Sequence, residues 1–442
     1  MTVDDSRRVA MLLGVLFGLA GMGSSSAAIA LPLMAADLGV SVGVATWSIS
    51  LYVLMLAVTT ALYGRIADLV GVRIPLLVGV GLMTLGALVA SVAPSFELLV
   101  LARMLQGAGA AAIPTLGVTL LSNRYDGAVR GLALGRLAGI AAAVTCLGPL
   151  AGGLVESLFG WRAVMMLPVL GALVLPFLTH TLAGGGTGAR LDVLGALLVS
   201  FTAGGLVLVV QSPSSGFVVA GVGMALMVLG TPSVVWRVRA RPHGFLPVVV
   251  IRNGAVLRSA VAAAAIPASW FALLVAVPAV LLAEGWEAWQ VGLLLLPSAI
   301  VALLMPKSAG RLLARYGPAR TLAISSAVAA GAIACTALGV AFVSAPLLVL
   351  AVMACTISFG VGQPAMGAAV GEAVTLDVRG VALGVATLLF LVGGSIGSAV
   401  VGGLGDALGL SGALAVVGLL PLLGIGVLMP ELRRTRRERR PA

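Results

Sequence analysis

Charge is what this chain has least of. Only 9% of its 442 residues are Asp, Glu, Lys or Arg, too few to clothe a water-soluble domain of this length, so most of its surface has to face lipid. Lysine is almost absent. Lys307, in MPKSAG, stands alone, no GxxxxGK[ST] loop surrounds it, and a nucleotide-driven pump on this chain is disfavoured. The two histidines, His180 and His243, have no acid and nucleophile arrangement or ligand spacing near them, which removes the usual basis for triad or metal chemistry. Cysteine is equally scarce. Cys146, Cys335 and Cys355 lie in apolar stretches without CxxC spacing, so neither a disulfide framework nor a zinc site is indicated. The expectation is a chain that is no enzyme and takes no metal or cofactor.

What is present is long apolar sequence. Hydrophobic residues make up 60% of the chain and mean hydropathy is +1.18. The 59 glycines and 21 prolines sit inside apolar segments, where they imply close helix packing and helix breaks instead of disorder. The first apolar stretch, from about Val9, has no persuasive small-residue cleavage site and reads as a retained spanning helix. About fourteen segments of bilayer length follow one another. They start near Val9, Thr46, Ile74, Phe96, Val129, Trp161, Leu191, Gly216, Ala255, Trp289, Ala319, Ala345, Arg379 and Leu408.

A net charge of +11 takes its meaning from placement. With a cytoplasmic amino terminus, the inner loops and termini collect Arg7, Arg8, Arg65, Arg73, Arg124, Arg130, Arg190, Arg237, Arg239, Arg241, Arg252, Arg258, Lys307, Arg311, Arg315, Arg320, Arg379 and the arginines from Arg433 to Arg440, while the outer loops keep only Arg162. That asymmetry satisfies the positive-inside rule with an even helix count and both termini inside. The basic tail then fixes orientation and touches anionic lipid; nucleic acid is not an expected partner.

The chain also repeats itself directly. GRIADLVG at Gly64 to Gly71 is echoed by GRLLARYG at Gly310 to Gly317, and VRGLALG from Val129 recurs as VRGVALG from Val378. Offsets of 246 and 249 residues separate the copies, which requires an even number of helices per repeat, as in transporters built from two six-helix bundles. The expected fold is therefore an all-α polytopic membrane protein. Residues 1–183 form an N-terminal six-helix bundle, 184–240 two inserted transmembrane helices, 241–254 a cytoplasmic connecting segment, either with an apolar patch on the membrane surface or as an ordinary connector, 255–430 a C-terminal six-helix bundle and 431–442 a basic cytoplasmic tail.

Four signatures give these helices a family likeness. GRIADLVGVR, Gly64 to Arg73, resembles the GxxxDxxGxR loop between the second and third helices of the major facilitator superfamily. Its glycines permit a tight turn, and Asp68 can accept hydrogen bonds from a helix N-terminus or pair with an arginine. ARMLQGAGAA, Ala102 to Ala111, is similar to the RxxQGxG signature of the fourth helix, with Arg103, Gln106, Gly107 and Ala110 on one face. An arginine about 10 Å inside a span needs a cavity or a partner, and hydrogen bonds to the carbonyls of a neighbouring helix are the alternative. GPLAGG, Gly148 to Gly153, resembles the fifth-helix GPxxGG that marks antiporters, and WRAVMMLP from Trp161 the family's WRxxFxxxxP, with Met165 replacing the aromatic.

The likeness is greatest to the fourteen-helix drug:proton antiporters. It implies rocker-switch alternating access, proton antiport and export of small amphipathic drugs or secondary metabolites by a monomer in the cytoplasmic membrane. It also implies a conformational latch at Gly64, Asp68, Gly71, Arg73 and Arg130, proton coupling at Arg103, and an antiporter segment at Gly148, Pro149, Gly152 and Gly153. Polar and aromatic residues inside spans are expected to face a substrate cavity: Ser24, Ser25, Ser26, Trp47, Tyr52, Arg103, Gln106, Arg136, Trp270 and Gln363.

Two departures matter. Where those exporters carry an acidic residue and an asparagine in the first helix, this chain has Gly23 and Ala28. No acidic residue lies near the middle of any span, Glu156 included, and Arg136 either snorkels to the interface or lines the cavity. Neutral or weakly acidic substrates are thus expected over cations. The alternatives are a lipid or metabolite transporter without proton exchange, or a non-transporting receptor.

Overall fold

The computed structural model describes residues 3–178, 192–242, 244–375 and 378–438. His180, Arg190, His243, Asp377 and the end of the basic tail lie outside them. Every regular element among the described residues is a helix, as expected where no water is available to satisfy free backbone groups. The longer helices are α1 (Val3–Asp37), α2 (Trp47–Val70), α3 (Arg73–Ser91), α4 (Phe96–Ala110), α5 (Ala112–Arg124), α6 (Gly127–Cys146), α7 (Gly148–Met166), α8 (Val193–Ser215), α9 (Phe217–Ala240), α10 (Gly254–Ala283), α11 (Ala288–Leu294), α12 (Pro297–Tyr316), α13 (Pro318–Ala341), α14 (Ala345–Glu372), α15 (Arg379–Val427) and α16 (Met429–Glu438). Side-chain caps begin several of them. Ser95 Oγ accepts from the Leu98 N–H at 3.4 Å, and Glu287 and Gln290 form a reciprocal capping box at α11.

Among the described residues, 12 helical stretches are long and apolar enough to cross a membrane. Two of them, Val129–Leu178 and Arg379–Val427, run to 50 and 49 residues, or about 75 Å of helix against a hydrocarbon core of about 30 Å. Each is interrupted by a glycine in a conformation that other residues rarely adopt, Gly160 (φ 76°, ψ 173°) and Gly409 (φ 70°, ψ 162°). The expected helix starts at Trp161 and Leu408 fall beside these breaks.

The internal repeat reappears in the backbone. Gly39 and Gly285 share positive φ (66° and 86°), as do Gly71 and Gly317 (81° and 80°) and Gly160 and Gly409. These pairs lie 246, 246 and 249 residues apart, the same offsets that separate the repeated sequence segments. The tight turns of the two repeats are built alike.

The chain divides into two compact units. Unit 1 comprises Met1–Leu191 with Pro278–Leu304, and unit 2 comprises Asp192–Val277 with Met305–Ala442. In unit 1, α1 packs against α6 and α7, α4 against α2 and α3, and α7 against α11. Gly14, Gly18 and Gly21 let α1 approach Ile140, Val144 and Thr145 of α6 so closely that a β-carbon on any of the three would overlap them. In unit 2, α13 packs on α14 and α15, and α8 on α9 and α15. Ile266, Met366, Val370 and Phe390 belong to its buried cluster.

In the connecting segment, Phe245 and Val250 are buried within unit 2, so these members of the apolar patch pack inward, while Val249 is largely exposed. The cause is Asp192, just before α8. It accepts from Arg237 Nη2 at 2.6 Å, from the Phe245 N–H at 3.0 Å and from the Gly195 N–H at 3.1 Å. Burial opposes ionisation of Asp192, yet these donors outweigh it and hold the carboxyl below the ordinary carboxylate range.

Candidate functional site

Arg103, two turns into α4, is wholly buried in unit 1. Its Nε donates to the Ser48 carbonyl at 3.0 Å and its Nη1 to Gln106 Oε1 at 2.5 Å. The guanidinium carbon stands 4.3 Å from the ring centroid of Tyr52, whose hydroxyl donates to the Ala20 carbonyl at 2.7 Å. The i, i+3 spacing of Arg103 and Gln106 puts both on one face, and Gly107 and Gly86 let that face come close: a β-carbon on Gly86 would lie 2.6 Å from the Gln106 nitrogen. Arg103 thus joins the partner expected on its own face to a carbonyl of a neighbouring helix.

The cluster is not saturated. Arg103 Nη2 and Gln106 Nε2 are buried donors without an acceptor, each costing about 1–3 kcal/mol if it stays so. Gly23 of α1 stands beside them. A β-carbon there would lie 3.4 Å from both Gln106 Nε2 and the Tyr52 hydroxyl, and 3.0 Å from Pro168 Cγ. The first-helix position that lacks an acidic residue is therefore the one facing the unpaired Gln106 Nε2.

Ser24, Ser25 and Ser26 of α1 are buried and spoken for. Ser24 Oγ donates to the Gly21 carbonyl at 2.9 Å, Ser25 Oγ to the Thr145 carbonyl at 2.8 Å and Ser26 Oγ to the Met22 carbonyl at 2.7 Å, which leaves them only acceptor lone pairs for any ligand. Ser25 and Ser26 also seat the α7 signature. Side chains at Gly148 and Gly152 would collide with Ser25 Oγ and Ser26, and one at Gly153 with the Ala288 carbonyl of α11. Pro149 falls in the first turn of α7, where its missing N–H costs no helix bond, so it marks a helix start and not a kink in mid-helix.

The other expected site residues are not gathered here. Trp47 is buried at the start of α2. Arg136 on α6 is half-buried with Nη1 unpartnered, and no hydrogen bond joins it to the Arg103 cluster among the described residues. In unit 2, Trp270 packs on Phe359 with ring centroids 6.1 Å apart, Phe359 on Phe390 at 5.4 Å, and Gln363, one turn beyond Phe359, is exposed. Gly71 ends α2 with its N–H on the Ala67 carbonyl at 2.9 Å and Arg73 opens α3. Arg130 is exposed, and the Asp68 side chain lies outside the described part of the structure.

Several polar contacts were not foreseen. Asp5 accepts from Tyr125 Oη at 2.7 Å and from Arg124 Nη2 at 3.2 Å. At the other end of α1, Asp37 accepts from Trp161 Nε1 at 3.1 Å and from Arg162. Arg258 Nη2 meets Glu431 at 2.5 Å in unit 2. Glu156 of α7 is only 8% exposed, where position along the chain had made it a helix-end residue. No group of three or more His, Cys, Asp or Glu among the described residues could hold a metal ion.

The Major Facilitator Superfamily pattern matches this chain over residues 13–398 and, overlapping it, 309–442. The cephamycin export protein CmcT of Amycolatopsis lactamdurans is 33% identical over 412 residues, covering 84% of this chain and 82% of that protein. The multidrug resistance protein Stp of Mycobacterium tuberculosis is 33% identical over 291 residues, covering 61% of this chain but only 52% of its own length. The chain thus spans about half the length of Stp. The multidrug resistance protein B homolog of the same species is 29% identical over 386 residues, 82% of this chain and 69% of that one. A crystallised POT family transporter in complex with 5-aminolevulinic acid shares the fold with a TM-score of 0.70 at 14% identity, over 98% of this chain and 97% of that one. With the loop, fourth-helix and fifth-helix signatures all in place and the pattern matching almost from end to end, this polytopic membrane transporter belongs to the Major Facilitator Superfamily.

Proposed function

We propose that this transporter exports small amphipathic drugs or secondary metabolites in exchange for protons, by rocker-switch alternating access, as a monomer in the cytoplasmic membrane. The observation that carries the reading is the seating of GPLAGG: Gly148, Gly152 and Gly153 each meet a neighbouring helix where no side chain fits, so the antiporter-type segment is a packing surface on which α7 can shift against α1 and α11. The export and multidrug resistance proteins it resembles support the same direction of transport. Gly160 and Gly409, dividing the two overlong stretches, support fourteen spans with both termini cytoplasmic, two bundles at 1–183 and 255–430, inserted helices at 184–240, a connection at 241–254 and a tail at 431–442.

In this reading Gly64, Asp68, Gly71, Arg73 and Arg130 form the cytoplasmic latch and Arg103 takes part in proton coupling. Ser24, Ser25, Ser26, Trp47, Tyr52, Gln106 and Arg136 of unit 1, and Trp270 and Gln363 of unit 2, are the residues that meet substrate. Neutral or weakly acidic compounds are preferred, because the Arg103 cluster offers unpaired donors and Gly23 supplies no carboxylate to hold a cation. That same gap favours the second reading, a metabolite or lipid transporter that exchanges no proton.

Proteoliposomes with imposed pH gradients separate the two. An inward-directed proton gradient is expected to drive a cephamycin or a neutral amphiphile out against its own gradient, with internal acidification reported by an entrapped dye. Solute movement indifferent to the pH gradient would leave only the second reading.

A further inference from the structure

Resting on the antiport reading, we propose that Glu156 of α7 carries the exchanged proton. Among the described side chains it is the only carboxylate that is both buried and without a hydrogen bond or ion pair. The acidic groups near it in the fold are occupied or exposed. Asp37 is bound by Arg162 and Trp161, Glu287 accepts from Trp289 Nε1 at 2.5 Å, and Glu284 is exposed. A buried carboxylate charge without a partner is expensive, so a group in this position is held neutral while enclosed and can ionise only when its surroundings open. That is the behaviour an exchanged-proton carrier needs.

Placement along α7 gives the group something to sense. Glu156 follows Gly152 by four residues and Gly153 by three, so it projects between their two directions. Gly152 faces Ser26 of α1 and Gly153 faces Ala288 and Trp289 of α11. The carboxyl therefore lies at the α1–α7–α11 junction, about 6 Å inside the helix break at Gly160. Helices α1, α3, α6 and α11 and the turn after α7 pack against α7 as a whole. The charged groups they bring to this end are Asp37, Glu284 and Glu287, with Arg162 on α7 itself, while Arg73, Arg130 and Arg136 start or lie toward the opposite ends of α3 and α6. A shift of α7 on its glycines would open the junction to water. The carboxylate then takes up one proton from the outer side, and the O–H bond breaks again when the junction faces the cytoplasm.

The test uses full-length protein in vesicles of bacterial polar lipid, as wild type, Glu156→Gln and Glu156→Asp, with a cephamycin and a neutral amphiphile as solutes. Glu156→Gln is expected to lose gradient-driven efflux by about tenfold or more while solute exchange in the absence of a gradient stays within about threefold, and Glu156→Asp to keep part of the driven flux. Infrared difference titration of the wild type is expected to contain a protonated-carboxyl band that is missing from Glu156→Gln. Driven efflux by Glu156→Gln at the wild-type rate, or an unchanged carboxyl band, overturns the assignment and leaves antiport standing. Wild-type flux that ignores the pH gradient for both solutes overturns the antiport reading and the assignment together.

Discussion

The two units bury very different chemistry. Among the described residues, unit 1 encloses Arg103, Gln106 and Glu156 along with its serines and threonines; unit 2 encloses no charged side chain, and beyond hydroxyls buries only Gln211 as a polar group. The turns that join their helices are nevertheless alike, down to the positive φ of Gly71 and Gly317. A repeated scaffold has kept its backbone corners in both copies, while among the described residues its buried charged side chains lie in one. Unit 2 offers instead the aromatic row of Trp270, Phe359 and Phe390. In the antiport proposed above, coupling to the ion falls to unit 1 and apolar contact with a substrate to unit 2.

The sharpest way to break that contrast is to remove the buried charge of unit 1 and a buried hydroxyl of unit 2. Arg103→Ala frees the Ser48 carbonyl and Gln106 Oε1 and takes the cation off Tyr52, so gradient-driven efflux is expected to fall by about a hundredfold. Lysine in its place should restore only part, having no planar fork to reach both acceptors. Ser358→Ala, which removes the donor to the Ser325 carbonyl at 2.8 Å, costs about 1 kcal/mol of stability and is expected to change flux less than about twofold. Equal losses from both, measured in the same vesicles at matched protein content, would dissolve the division of labour.

Much of this contrast is legible in the chain itself, because the features that repeat are local. The offsets of the GRIADLVG and VRGLALG copies anticipate the paired glycine turns, and the expected starts at Trp161 and Leu408 sit beside the actual breaks, since a glycine at positive φ punctuates any apolar run. The partners of charged groups are not local. Asp5 and Arg124 are 119 residues apart, and Asp192 reaches Phe245 across 53, so no window of sequence pairs them. Glu156 illustrates the same limit from the other side. Its distance from a helix end is plain in the chain, but its enclosure is made by α1 and α11, which only the fold brings to it. The inward packing of Phe245 was hidden because Asp192 belongs to a different segment.

A subtler intervention fills the gap that sets this chain apart. Gly23→Asp would place a carboxyl beside Gln106 Nε2 and the Tyr52 hydroxyl, in the cluster that holds Arg103. The new anion is expected to satisfy those donors and to shift selectivity toward cationic amphiphiles by about tenfold, equivalent to about 1.4 kcal/mol. Pro168 Cγ at 3.0 Å from the new β-carbon must yield by a few tenths of an ångström, so a modest loss of thermal stability should accompany the change. Matched cationic, neutral and anionic amphiphiles in a competition assay provide the measurement. A variant that still folds but keeps the wild-type order of preference would separate substrate charge from the Arg103 cluster.

Effects on stability alone probe what the two units share. In unit 1 the close approach of the first helix is made by Gly14, Gly18 and Gly21 of α1 against branched side chains of α6; in unit 2 the roles are exchanged, with Gly393 and Gly397 of α15 lying on the Ala264 and Ala268 carbonyls of α10. Which helix supplies the glycine does not matter to the packing, only that one of them does. Gly18→Leu and Gly397→Leu should therefore each destabilise the protein by about 1–3 kcal/mol through overpacking, lowering thermal midpoints measured in detergent. The unit 2 substitution meets backbone, which cannot rotate aside, whereas Val144 opposite Gly18 is a side chain, so Gly397→Leu is expected to be the more severe. A harmless Gly397→Leu beside a damaging Gly18→Leu would mean that the two repeats share turns but not the way their helices close together.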